Sequence, residues 1–259
     1  MGMRNELLKS TSNAAGPLRP VFYFCTLMEK ENTHHIYCIS GLGGDFRIFK
    51  NIHIRNAQLH PINWTMPLPG ETMQSFAQKL SGQIKHPDPI LLGVSFGGML
   101  ATEMSRLIPV KKTIVISSCK MPGEISGFIK VAGRLSMHRY IPYWKFLHNN
   151  NFNRFFFDVH SNEEELYIKR LMLNQSKIDF VRRCVDLILN WKTQGPLPEN
   201  LVHIHGHQDR LLTPKKVKAD YWINDGGHFM IWNRANEINQ IIENELGKME
   251  KPMPKAGMG

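Results

Sequence analysis

The chain is poor in the features that would take it out of the ordinary globular class. It has 259 residues and four cysteines, Cys25, Cys38, Cys119 and Cys184. These are widely spaced and form no C-x-x-C pair, which excludes the dense disulfide framework of a small secreted domain. Reduced thiols and a cytoplasmic location are therefore expected. No apolar run approaches the roughly 18 residues of a membrane-spanning helix, so no membrane span is expected. The apolar patch at 21–28 is short, runs into Glu29-Lys30-Glu31 and lacks a small-residue cleavage site, so it does not read as a signal peptide. Lys plus Arg total 32 against 22 Asp plus Glu, a net charge of +10. That surplus is not gathered into any Lys/Arg run of five, finger or basic zipper, and nucleic-acid binding is not expected. The absence of a fixed-period repeat excludes solenoids and propellers.

What remains is a composition, 42% hydrophobic and 21% charged, that supports a single enzyme-sized domain with a large core. Short apolar runs at 35–40, 62–65, 90–94, 113–117, 202–205 and 221–224 read as strands, with helix-period segments between them. Met73, Phe76, Ala77, Leu80 and Ile84 share one helical face, as do Leu100, Met104, Leu107 and Ile108, and Ile238, Ile241, Ile242 and Leu246. The alternation predicts an α/β fold with a mostly parallel sheet flanked by helices. Residues 121–191 hold no strand candidate, only aromatic-rich helical pattern. The organisation expected is a core at 28–120 and 196–247 with an inserted helical lid at 121–195. Ser161 and Glu164 have capping-box spacing within that lid, and Ser176 and Asp179 a related spacing. Residues 1–27 form either an extension or a hairpin strand, and 248–259 read as a tail.

Gly93-Val94-Ser95-Phe96-Gly97 follows the strand at 90–94 and opens a helix. A nucleophile elbow needs that context. The sharp strand-to-helix turn lifts the Ser95 hydroxyl clear of the sheet, and glycines on either side let helix and strand approach without a Cβ between them.

At these residues the sequence resembles the α/β-hydrolase family, over residues 34–246. The resemblance implies a triad in the order serine, acid, histidine, with the last two on loops after late strands. His205-Gly206-His207-Gln208-Asp209 looks like the acid loop and Gly226-Gly227-His228 like the histidine loop. Ser95 would then attack a carbonyl, His228 would move its proton, and Asp209 would orient the imidazole. Ser40-Gly41-Leu42-Gly43-Gly44 occupies the place of the family's oxyanion loop, and the backbone N–H groups of Leu42 and Phe96 are its expected donors. Two departures stand out. Ser40 occupies a position where many members have His, and Asp209 and His228 are only 19 residues apart, which implies that a helix usual between those strands is reduced or missing. Asp225, beside His228, is the alternative acid.

His203, His205 and His207 alternate along the strand and beyond it, but lack the H-x-H-x-D-H order of binuclear metallohydrolases, so no metal site is expected. Aromatics crowd the lid from Tyr140 to Phe157. Trp144 among them, with Phe229 and Met230 after His228, is a candidate for the substrate pocket, the other role for each being core packing. The function expected is a serine hydrolase that cleaves an ester or thioester with an apolar acyl or aryl group, without a cofactor. Lys130, Arg134, Arg139, Lys145, Arg182 and Arg183 would let a basic lid rim attract an anionic carrier such as coenzyme A or an acyl carrier protein. A carbon–carbon bond hydrolase, an acyltransferase and a non-catalytic ligand-binding protein of the same fold are the alternatives.

Overall fold

The computed structural model describes residues 33–125, 178–193 and 195–250, together with positions 127, 151, 154, 155, 159, 161, 164 and 166. Six strands, β1 (His34–Ile39), β2 (Ala57–Pro61), β3 (Ile90–Val94), β4 (Lys112–Ile116), β5 (Leu201–Gly206) and β6 (Tyr221–Ile223), form one sheet in the order β2-β1-β3-β4-β5-β6. Among the described residues every neighbouring pair is parallel, in keeping with the parallel sheet expected from sequence. Strand β3, Ile-Leu-Leu-Gly-Val, is buried at all five positions, as a central strand covered on both faces must be. From β1 the chain steps outward to β2 and then crosses to β3 on the other side. The resulting reversal of strand order leaves a crevice at the carboxyl ends of β1 and β3, where open parallel sheets bind ligands.

Alternation along each strand divides the core in two. Ile36 and Cys38 of β1 face a cluster with helix α5 (Ala235–Glu250), whose Ile238, Ile242 and Leu246 are buried. Tyr37 and Ile39 face the other cluster, with helices α1 (Met73–Ser81), α2 (Phe96–Leu107) and α3 (Ile178–Leu189). The helical stripes expected from sequence supply these faces, except that Leu107 is exposed and Ile108, past the end of α2, belongs to neither cluster. The short helix α4 (Met230–Asn233) precedes α5.

Three expectations need correction. The second strand lies at Ala57–Pro61, not 62–65. The aromatic Ile-Asn-Trp-Thr stretch looks more strand-like than Ala-Gln-Leu-His-Pro, but edge position among the described residues rescues the latter: Pro61, which lacks an N–H, is tolerated on the strand that ends the described sheet. Ile62 N–H donates to Cys38 O as the ladder ends, freeing Trp64 for the site. Secondly, α3 falls in the segment expected as lid, yet its Val181, Cys184 and Leu187 share a cluster with α1 and α2. Trp191, just beyond it, donates to the buried Glu103 carboxylate of α2 at 2.9 Å, and Arg183 donates to Pro67 O at 2.7 Å, so this helix belongs to the core. Thirdly, α5 continues to Glu250, into the stretch expected as tail.

The Ser161–Glu164 capping box is formed, with Glu164 N donating to Ser161 Oγ at 3.1 Å and Ser161 N to Glu164 Oε2 at 3.4 Å. The rest of the expected lid, including Ser176 and most of 126–177, lies outside the described residues, as do 1–32 and 251–259.

Glu245 of α5 is buried beneath the amino end of the sheet, where Tyr221 Oη donates to it at 2.6 Å and Lys112 and Lys248 reach it as well. Burial opposes its ionisation, but the hydrogen bonds from Lys112, Lys248 and Tyr221 outweigh burial and push the carboxyl down to about 2. A carboxyl depressed in the fold adds stability above its unfolded value near 4.5, and that stability is lost as pH falls toward 2. Glu245→Gln should therefore lower the thermal midpoint by several degrees at pH 7, and the gap to wild type should close as melts are repeated from pH 4.5 down to pH 2.

Candidate active site

Ser95 sits between β3 and α2 with φ 54° and ψ −122°, a left-handed-side conformation that costs a non-glycine residue about 1–3 kcal/mol. Surrounding contacts hold it there. Ser95 N–H donates to Ile116 O at 3.0 Å, and Ser118 Oγ donates to Ser95 O at 2.6 Å. A Cβ at Gly97 would overlap the Ile39 and Ser40 carbonyl oxygens, and one at Gly93 would overlap the Gly97 backbone. The elbow glycines are thus required by contact between α2, β1 and β3. The Ser95 side chain remains half-buried, facing the crevice.

His228 Nε2 lies 3.0 Å from Ser95 Oγ, and His228 Nδ1 lies 2.8 Å from Asp209 Oδ2. Asp209 is buried, and its other oxygen accepts from the backbone N–H of Leu211 at 2.9 Å and of Leu212 at 2.8 Å. A carboxylate with one oxygen so occupied presents the other in a fixed direction. It accepts the Nδ1 proton of His228, which leaves Nε2 as the acceptor for the serine hydroxyl. The arrangement can therefore move a proton from Ser95 Oγ to His228 Nε2 while Asp209 stabilises the cation formed.

The loops that carry Asp209 and His228 are brought together by close backbone contact. A Cβ at Gly206 would overlap the Gly226 carbonyl oxygen, and Gln208 N–H donates to that same oxygen at 2.9 Å. Between β5 and β6 the connection holds one helical turn, Pro214–Lys216. The short spacing of Asp209 and His228 therefore goes with a connection that holds no α-helix, and the His228–Asp209 hydrogen bond forms across it.

At the end of β1, Gly41 backbone lies against Ser95, since a Cβ there would stand 3.3 Å from Ser95 Cβ. Gly43 has φ 75°, and Gly44 N–H closes the turn on Gly41 O at 3.0 Å. Ser40 Oγ donates to Gly44 O at 3.0 Å, and Trp64 Nε1 donates to both Ser40 Oγ and Gly44 O at 2.9 Å. Trp64 also stacks on Phe96, ring centroids 5.6 Å apart. The residue that departs from the family pattern, Ser40, is the one that braces the loop. Leu42 is half-buried on this turn, and Phe96 is the first residue of α2, whose opening N–H groups have no partner within the helix.

No protein-family model matches the sequence, and no curated protein matches it either. Solved structures do. The chain is similar to MGS-M2, an alpha/beta hydrolase enzyme from a Medee basin deep-sea metagenome library, at 14% identity and TM-score 0.63, covering 87% of this chain and 93% of that one. The chain has the α/β-hydrolase fold. It is also similar to a lipase-esterase related protein from Clostridium acetobutylicum (14% identity, TM-score 0.62, 83% of this chain and 95% of that one). A thermophilic esterase from Thermogutta terrifontis is alike at 15% identity and TM-score 0.61, with 85% and 92% covered.

Within this α/β-hydrolase fold, not every residue singled out from sequence reaches the site. Phe229 and Met230 are buried in the core cluster beneath the histidine loop, Phe229 stacked with Trp232 at 6.0 Å and Met230 fully enclosed, so packing is the role their placement gives them. Trp144 lies outside the described residues. Asp225, the alternative acid, is exposed and accepts only a long 3.4 Å bond from Gln208 Nε2. His203 and His205 are fully buried and His207 is exposed, stacked on Trp222 at 4.6 Å. Burial lowers the pKa of His205, against the pull of Asp209. Neutral His205 donates from Nε2 to Leu212 O at 2.8 Å, bracing the loop that grips Asp209. Sequence reasoning missed this brace, along with Trp64 and Ser118. A histidine directly before the acid loop's Gly206-His207 pair carries no signal of it until the loop is folded back.

Proposed function

We propose that the chain is a serine hydrolase acting on a small-molecule carboxylic ester or thioester through an acyl-enzyme. The observation that carries this reading is the unbroken relay Ser95 Oγ, His228 Nε2, His228 Nδ1, Asp209 Oδ2, with links of 3.0 and 2.8 Å. Ser95 Oγ attacks the carbonyl carbon as His228 takes its proton. The oxyanion is held by the N–H groups of Leu42 and Phe96. Collapse of the tetrahedral intermediate expels the alcohol or thiol, which receives the proton from His228, and leaves Ser95 acylated. Water, deprotonated by His228, then releases the acid and restores the serine. The solved structures described as esterases and as a lipase-esterase related protein support ester chemistry at this site.

An anionic carrier draws less support than a small neutral substrate. Of the basic residues that suggested one, Arg183 spends a guanidinium N–H on Pro67 O, and Arg182 lies 3.9 Å from Asp179. Lys130, Arg134, Arg139 and Lys145 lie outside the described residues.

A panel of p-nitrophenyl esters of increasing acyl length, with matching thioesters, tests the reading. Hydrolysis of at least one series with saturable kinetics is expected. Absence of hydrolysis across the panel by folded protein would overturn the ester and thioester assignment and favour the acyltransferase or carbon–carbon alternatives.

A further inference from the structure

At the amino end of the sheet, away from Ser95, three imidazoles from three separate parts of the chain converge. His35 lies on β1, on the face shared by Tyr37 and Ile39. His60 lies on β2 directly opposite Tyr37 in the parallel register, so it points to that same face. His86 comes from the segment between α1 and β3. His35 Nδ1 is 3.0 Å from His60 Nε2, the His35 and His86 rings stack with centroids 3.6 Å apart, and one nitrogen from each of the three lies within 4.8 Å of the others. All three are half-buried and so remain reachable from solvent.

We infer that His35, His60 and His86 form a binding site for one borderline divalent transition-metal ion, of which zinc is the type. Two histidine nitrogens bound to one tetrahedral zinc at 2.0–2.1 Å each stand about 3.3–3.4 Å apart, a few tenths of an ångström from the His35–His60 separation. The His86 nitrogen lies within 4.8 Å of these two, and His86 has to tilt off its stack on His35 to direct its lone pair at the same ion. Ligand chemistry selects the class of metal. Three imidazoles suit zinc, copper and nickel, whereas calcium and magnesium need oxygen donors that this trio does not offer.

The surroundings are built for ligation too. Tyr37 Oη is buried, accepts from the backbone N–H of Lys85 at 2.8 Å and of His86 at 3.2 Å, and stands 2.8 Å from His86 Nδ1. A partner of that kind fixes the ring of a ligating histidine and leaves Nε2 to face the ion.

The ion would tie edge strand β2 and the segment before β3 to β1, at a distance from the reaction. Zn2+ is the probe. The chelator-treated full chain, titrated with Zn2+ in competition with a chromophoric chelator, should take up one equivalent, and its thermal midpoint should rise with bound zinc. His60→Asn and His86→Asn should each weaken that binding by at least the about 10–100-fold that losing an outer-shell partner costs, and abolish the rise in midpoint. A cooperative thermal melt of each zinc-free variant certifies that it is folded. His86→Asn leaves both strands intact if His60→Asn does not fold. Failure of wild type to take up an equivalent at micromolar zinc, or unchanged zinc affinity in the His86→Asn variant, would overturn the site. Neither outcome bears on the ester reading, which the panel tests separately.

Discussion

Ser95→Ala is expected to cut ester turnover by about four to six orders of magnitude while leaving the thermal midpoint close to wild type. Both halves of the expectation come from the geometry. The hydroxyl faces the crevice with His228 Nε2 at 3.0 Å, so removing it deletes the attacking atom. The contacts that fix the elbow are made by backbone, Ser95 N–H to Ile116 O and Ser118 Oγ to Ser95 O, and alanine keeps them. Steady-state hydrolysis and a thermal melt on the same preparation check the two together. A folded variant with wild-type turnover would remove Ser95 from the reaction.

Asp209→Asn should cost about 10⁴ in turnover, again with little loss of stability. The amide oxygen can take over the two bonds from Leu211 and Leu212 N–H. The amide NH2 then faces His228 Nδ1, turns it into an acceptor and places the imidazole proton on Nε2, where it cannot receive one from Ser95. Asp209→Ala serves as the contrast. It strands two buried N–H groups and should lower the thermal midpoint as well as the rate. If Asp209→Asn keeps full activity, the acid is elsewhere, and exposed Asp225 becomes the position to test.

Much of the fold was legible because period and burial agree. The continuous apolar run of β3 and the stripes of α1 and α5 place themselves. Edge strand β2 was not legible, since Ala57–Pro61 is half-exposed and ends in proline, and pairing with β1 rather than its own composition makes it a strand. Helix α3 reads as an amphipathic helix, and what assigns it to the core is the packing of Val181, Cys184 and Leu187 against α1 and α2, with Arg183 on Pro67 and Trp191, just beyond it, on Glu103. The site divides in the same way. Ser95, Asp209 and His228 sit in motifs whose backbone geometry demands particular residues, chiefly glycine. Trp64 and Ser118 support those motifs from other parts of the chain, and His205 from within the acid loop itself, and no local pattern marks their roles. The histidines show this most plainly: the run His203, His205, His207 catches the eye in sequence, while His35 and His60 meet through the register of β1 and β2 and His86 joins them from the segment before β3.

The central claim is that Ser95 is an activated nucleophile. The most direct test is reaction of the full-length chain with a fluorophosphonate, followed by intact-mass measurement and peptide mapping, because the reagent requires the activated serine and not the natural substrate. The account predicts a single phosphonyl adduct per chain, located on Ser95, lost in Ser95→Ala and strongly slowed in Asp209→Asn. A folded protein that stays unmodified, or is modified at another serine, would contradict it.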